Sequence, residues 1–183
     1  MSRNAFTLIE LLIVVAIISI LASIAVPNFM EAQARSKVSR ARTDMRTLAT
    51  ALETYVVDNN RYPPNWEYGG ERLTPSNLSS PISYLTSLPS DPFRTSFDYV
   101  LRRYDYHNVQ DLVDRGESSW PPNDLRRYGL WRFVSYGPKG EYLPWIPYDS
   151  TNGTMSAGNV LRTHLSPEGR IGYDFWDPAN PYL

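Results

Sequence analysis

Cysteine is absent from all 183 residues, which excludes a disulfide framework, a thiolate metal centre and a cysteine nucleophile together. The compartment stays open, because export does not require disulfides. Histidine is scarce: His107 and His164 are the two present, which leaves little for imidazole chemistry. Nor is there an excess of charge of one sign. The formal net charge is −1, so nothing electrostatic points to nucleic acid as a partner. Neither a glycine-rich phosphate loop nor a His-Glu-x-x-His pattern occurs. Pairs such as Asp174 with Asp177, or Glu117 with Asp124, read as surface carboxylates rather than acid/base dyads. The chain is not expected to be an enzyme.

What is present is unevenly distributed. All five Trp, twelve of the thirteen Tyr and fourteen of the fifteen Pro follow residue 60, whereas the first 26 residues are almost purely aliphatic. Leu11 to Val26 carries no charge, and back to Phe6 the run is broken only by Glu10. As a helix that run measures about 31 Å, close to the ~30 Å hydrocarbon core of a bilayer. A buried helix of a soluble core would not be apolar on every face in so small a protein. A secretory signal peptide is the other reading, with Arg3 before the run and Ser23-Ile24-Ala25 as a cleavage site. Glu10 speaks against it, since a carboxylate inside an apolar span asks for a cationic partner.

Ala5-Phe6-Thr7-Leu8-Ile9-Glu10-Leu11-Leu12, after a polar leader containing Arg3 and before a break at Pro27, resembles the N-terminal signature of type IV pilins and type II secretion pseudopilins. The resemblance implies that a membrane prepilin peptidase removes residues 1–5 and methylates the new amine at Phe6. It also implies that the Phe6 ammonium neutralises Glu10 on a neighbouring subunit, so that Phe6, Glu10 and Pro27 govern assembly. Ala5 stands where the family usually has Gly. Arg3 precedes the span while Arg35, Lys37, Arg40 and Arg42 follow it. By charge count alone this places the C-terminal side in the cytoplasm; the resemblance implies the opposite, with the head in the periplasm.

Beyond the span, Ala41, Met45, Leu48, Leu52 and Tyr55, with Val56 beside them, recur at helical spacing and predict a stripe that faces a sheet. The helix should stop at Asp58-Asn59-Asn60, before Tyr62-Pro63-Pro64. Pro27 would kink or locally melt it, and the resemblance to filament-forming relatives implies that Asn28–Met30 is an extensible region. The arginines and lysine at 35–46 read first as a solvated flank near Glu31 and Asp44, and second as a packing surface.

Residues 61–183 carry a net charge of −2 and show no internal repeat. Short elements are expected at Ile82–Leu88 (a helical turn), Phe97–Arg103 (strand), Val109–Arg115 (helix), Leu130–Tyr136 (strand) and Asn159–His164 (strand). The fold class is α+β: a long N-terminal helix packed on a small antiparallel sheet. Its divisions are a leader (1–5), a transmembrane assembly helix (6–27), an amphipathic continuation (28–60) and a head (61–183).

The head narrows the resemblance. Ala51-Leu52-Glu53-Thr54-Tyr55, Asp58-Asn59, Tyr62-Pro63, then Tyr84-Leu85-Thr86-Ser87-Leu88-Pro89-Ser90-Asp91-Pro92-Phe93 and Ser135-Tyr136-Gly137-Pro138-Lys139-Gly140 are similar to the major pseudopilin of type II secretion systems. Many adhesive pilins brace their C-terminal loop with a disulfide; the resemblance implies a calcium ion instead. The oxygen ligands on offer are Glu141, Asp149, Asn152 and Thr154. Lys139 stands where the family commonly has Asp, and the tract also reads as an ordinary hydrogen-bonded turn. The implied function is a structural subunit that polymerises into a pseudopilus in the bacterial inner membrane. Its implied partners are further copies, minor pseudopilins, an assembly platform, the peptidase and lipid. The alternatives are a type IV pilin for adhesion, motility or DNA uptake, and a membrane-anchored module binding an envelope polymer through Trp120, Trp131 or Trp145.

Overall fold

The computed structural model describes residues 6–96, 98–117, 121–144, 146–151 and 156–167. Helix α1 spans Leu8–Asn59 without interruption, about 78 Å at the usual rise. Thr7 starts it as a capping residue, and Asn60 ends it in the left-handed region (φ 54°), its N–H donating to Val56 O. Asparagine tolerates that conformation better than most side chains, so the chain turns where the helical stripe ends.

The two halves of α1 live in different surroundings. From Leu8 to Met30 every side chain is exposed, and burial begins at Ala34. Met45, Leu48 and Leu52 are sealed in the core, with Ala41 and Tyr55 along the same stripe. The expected stripe is therefore the face that meets the sheet, with Val56 at its half-buried margin. Pro27 lies inside the helix. It cannot donate to the carbonyl four residues back, a loss of about 3 kcal/mol in a regular interior. Even so, the segment Asn28–Met30, expected to open, is helical in the single chain.

The sheet has five antiparallel strands in sequence order: β1 (Trp66–Tyr68), β2 (Glu71–Leu73), β3 (Asp105–Asn108), β4 (Trp131–Ser135) and β5 (Val160–Thr163). Strand alternation splits it into two faces. Tyr106, Trp131, Phe133 and Val160 join the α1 stripe in the main core, with Tyr104 from the turn before β3. Val134 and Leu161 point the other way, into a second cluster with Val109 of α2 (Val109–Asp114) and Tyr128 of α3 (Pro121–Tyr128).

The helix expected at Val109–Arg115 and the strands expected at Leu130–Tyr136 and Asn159–His164 are present within a residue or two. Two expectations fail. Of the strand expected at Phe97–Arg103, Phe97 lies outside the described residues and 98–103 are not a strand: Asp98 accepts from the Val100 N–H (2.8 Å) and a 3₁₀ turn follows at Val100–Arg102. The strand comes later, at β3. Ile82–Leu88 forms no helical turn either, because the Tyr84 and Leu85 amides both donate to Leu78 O and fold the segment against the core.

Candidate assembly site and the network that fixes the head

Thr7 and Glu10 form a reciprocal cap at the N-terminal end of α1. The Glu10 amide donates to Thr7 Oγ1 (3.3 Å), while the Thr7 amide and hydroxyl both donate to Glu10 Oε2 (2.8 Å each). A carboxylate in the first turn also complements the helix dipole. No cation meets it among the described residues. The first basic side chain along α1 is Arg35, about 38 Å away along the axis and several Debye lengths beyond useful attraction. Around Glu10 stand Phe6, Leu8, Ile9 and Leu11, all exposed. The site is thus a capped but electrically unpaired carboxylate on a bare apolar rod. Phe6 sits beside it in sequence, Pro27 lies in the helix, and Ala5 lies outside the described residues.

In the head, sequence segments that read as separate weak motifs meet in space. Glu53 on α1 accepts from the Trp131 indole N–H (3.0 Å) and the Tyr62 hydroxyl (3.1 Å). Burial, and then the Glu53 charge, push the Tyr62 phenol up to about 12. Asp58 accepts from Tyr84 OH (2.9 Å). Asp91 accepts from Ser135 Oγ (2.7 Å), the Phe93 amide (2.9 Å) and the Tyr136 amide (3.1 Å). Burial raises its carboxyl, and those hydrogen bonds pull it partly back. Trp131 is buried to 3% exposure, so it belongs to the core and is not free to stack on an envelope polymer. Trp120 and Trp145 lie outside the described residues.

The loop after β4 closes on Asn159. Its Oδ1 accepts from the Leu143 amide (2.6 Å), and its Nδ2 donates to Tyr136 O (2.8 Å) and Glu141 O (2.7 Å). Gly137 and Gly158 pass so close that a Cβ on Gly137 would overlap Gly158 O. Of the expected cation ligands, Glu141 is exposed, and Asp149 Oδ1 accepts from the Thr151 amide and hydroxyl (2.8 and 2.7 Å). Asn152 and Thr154 lie outside the described residues. Among the described residues no group of three or more carboxylates or imidazoles gathers anywhere.

Sequence reading missed a buried polar cluster on the far face of the sheet. His107 Nε2 lies 2.7 Å from Asp105 Oδ1, and the Tyr142 hydroxyl reaches both (3.1 and 3.2 Å). The signal was the two-residue spacing of Asp105 and His107, which puts them on one strand face. Burial pushes His107 below its usual value against the attraction of Asp105, with Arg132 and Arg72 adding repulsion. Below about pH 6.5 the unfolded chain therefore binds a proton that the folded chain resists, so stability falls as pH drops through that window. Melting temperature should decline from pH 7 to pH 5, and His107→Gln should flatten that part of the curve. An unchanged slope would assign the dependence to other groups. His164 lies just past β5, exposed, with its ring against Trp131 and Tyr62.

Comparison with known proteins sorts these features. Residues 1–26 match the prokaryotic N-terminal methylation motif, and residues 28–121 match type II secretion system protein G. The type II secretion system core protein G of Escherichia coli is 32% identical over 137 residues, 70% of this chain and 92% of that protein. The chain belongs to the protein G family of type II secretion systems. A protein G of Pseudomonas aeruginosa is 35% identical over 105 residues, covering 54% of this chain and 73% of that protein. The type IV major pilin protein PilA of Myxococcus xanthus is 58% identical, but over 60 residues, 33% of this chain and 27% of that protein. The likeness to that pilin therefore covers a third of this chain, whereas the likeness to the Escherichia coli protein G covers more than two thirds. No solved structure matches the chain. Membership makes the chain a pseudopilin with an apolar N-terminal helix long enough to cross a membrane.

Proposed function

We propose that the chain is held in the bacterial inner membrane by α1 with its head in the periplasm, and is cleaved between Ala5 and Phe6 and N-methylated there. It then polymerises with copies of itself, alongside minor pseudopilins and an inner-membrane assembly platform, into the pseudopilus that supports protein secretion. The observation that carries this is the apolar half of α1, exposed on every side and holding one carboxylate with no cation of its own. Such a rod needs lipid before assembly and other rods after it. Leaving lipid brings no hydrophobic gain, so helix packing and the pairing of Glu10 with a neighbour's Phe6 ammonium drive the transfer. The deciding experiment is a deletion strain examined for both exported proteins and surface fibres. A secretion defect with surface fibres intact supports the pseudopilus; loss of surface fibres with normal secretion supports a pilus.

The oxygen donors Glu141, Asp149, Asn152 and Thr154 suit a hard cation, and calcium is proposed on that donor chemistry. Millimolar calcium should raise the melting temperature of the head by several degrees, an increment lost in Asp149→Asn. A flat titration removes the ion and leaves Asn159 as the loop's organiser.

A further inference from the structure

The polar cluster on the far face of the sheet ties a loop to a strand. Asp105 and His107 belong to β3, whereas Tyr142 lies beyond the end of β4 at Ser135. The Tyr142 hydroxyl donates to Asp105 Oδ1 (3.2 Å) and lies 3.1 Å from His107 Nε2, itself 2.7 Å from the same carboxylate oxygen. Its neighbours in the loop bond elsewhere: the Gly140 amide donates to Gly137 O, and the Leu143 amide to Asn159 Oδ1. Tyr142 is thus the side chain that fastens this loop to β3.

His107 is 6% exposed, and the charges that face it are unequal in sign. Asp105 is the carboxylate, while Arg132, directly opposite on β4, and Arg72 on β2 are cations. Arg132 in turn feels Tyr142 and, from α3, Tyr128 and Asp124; Arg72 pairs with Glu67 (2.9 Å) and Glu117 (3.5 Å). Helix α2 packs on β3 but turns Asp111 to Asn65 (2.9 Å) and Arg115 (2.8 Å). A charge on His107 would therefore appear beside two guanidinium groups in a site closed to water, where burial penalises it most. Of the parts that enclose the ring, β2, β3 and β4 are joined by ladders, and Tyr142 is on a loop. Swinging that one side chain out admits water for the loss of its hydrogen bonds, far less than parting the strands.

We propose that Tyr142 is a pH-sensitive latch: it fastens Gly137–Pro144 to β3 at neutral pH and lets go when His107 takes a proton, with the sheet and α1 still folded. The open form binds that proton at the ordinary imidazole value of about 6.5, whereas burial makes the closed form resist it. Opening is thus favoured as pH falls below that value, by up to about tenfold between pH 7.5 and 5.5 for a single site. The latch belongs to the head alone and stands whether or not the chain polymerises.

Hydrogen exchange of the full chain in detergent, with EDTA present and corrected for the intrinsic pH dependence of exchange, tests it at those two pH values. The Gly140 and Leu143 amides should be at least ~10-fold less protected than those of Leu48–Tyr55 at both, which marks opening short of unfolding. Their protection should fall at least ~3-fold from pH 7.5 to 5.5, and His107→Gln should abolish the fall. Tyr142→Phe keeps the ring and should lower protection of the same two amides at pH 7.5 at least ~3-fold. Loop amides as protected as those of α1 would leave global unfolding as the route and overturn the proposal. So would a smaller fall, one that persists in His107→Gln, or a Tyr142→Phe chain as protected as the parent.

Discussion

Glu10→Ala is expected to enter the membrane normally, keep a fully folded head and fail to assemble, with filament yield down by more than tenfold. The argument starts from the single chain, where Glu10 has two roles. As a cap it satisfies the Thr7 amide and hydroxyl, worth about 1 kcal/mol at the frayed end of a helix that is otherwise 52 residues long. As a charge it sits in an apolar surface about 38 Å from the nearest basic residue of its own helix. Burying it unpaired among packed helices costs on the order of 2.5–3.5 kcal/mol, and a neighbour's ammonium relieves that cost at every subunit in register. Because 1.4 kcal/mol is tenfold in an equilibrium constant, losing the pair at each contact removes assembly. The melting temperature of the head should not move, since residues 8–33 bury nothing against it beyond the partial cover at Glu31. Glu10→Gln separates the two roles, because glutamine preserves the capping box but carries no charge. It should fail as completely as alanine. Normal filaments from Glu10→Gln would show that the cap alone sets register and would refute the pairing.

The stalk was legible because its physics is one-dimensional. A charge-free run fixes membrane length, and a three-and-four-residue stripe from Ala41 to Tyr55 fixes the buried face; both appear as read. The head resisted wherever elements are too short for a period to show. Trp66–Tyr68 and Glu71–Leu73 are three residues each, and the readable clue was the Gly69-Gly70 pair between them, both at positive φ (61° and 82°) as a tight hairpin turn demands. Strand β3 is Asp-Tyr-His-Asn, buried throughout; Asp105 and His107 pair within the strand and with Tyr142, and Asn108 donates to Pro63 O, so polar residues sit where a hydrophobic alternation would show. Pro121-Pro122 reads as a break, yet prolines in a first helical turn lack only donors that have no acceptor there, and α3 begins on them. Glu10 draws notice in the sequence because an acid in an apolar run is anomalous by itself. The Asp91 to Ser135 contact does not, because 44 residues separate its partners.

Asn159→Ala should be the most damaging single change in the head, lowering its stability by about 3–5 kcal/mol and its melting temperature by roughly 6–15 °C. The residue is sealed from solvent and serves three backbone groups, Leu143 N, Tyr136 O and Glu141 O, from one side-chain amide. Its own backbone extends the same closure, its N–H donating to Ile146 O and its carbonyl accepting from the Tyr148 amide. Removing the side chain leaves one donor and two acceptors short of a partner, each costing about 1–3 kcal/mol where water cannot reach. Asn159→Asp is nearly isosteric and keeps the acceptor. It loses the donor and sets a carboxylate against two carbonyls, so it should be no better than alanine. Near-ultraviolet circular dichroism of the full chain in detergent reads the aromatic head apart from α1, whose far-ultraviolet signal should persist. The loop ends in β5, which packs Val160 against the α1 stripe. Unlatching it therefore loosens the edge of the sheet that rides on the stalk, and the variant should be degraded before it reaches a filament. A melting curve within 2 °C of the parent would show that the backbone closures alone hold the loop and that the amide is dispensable.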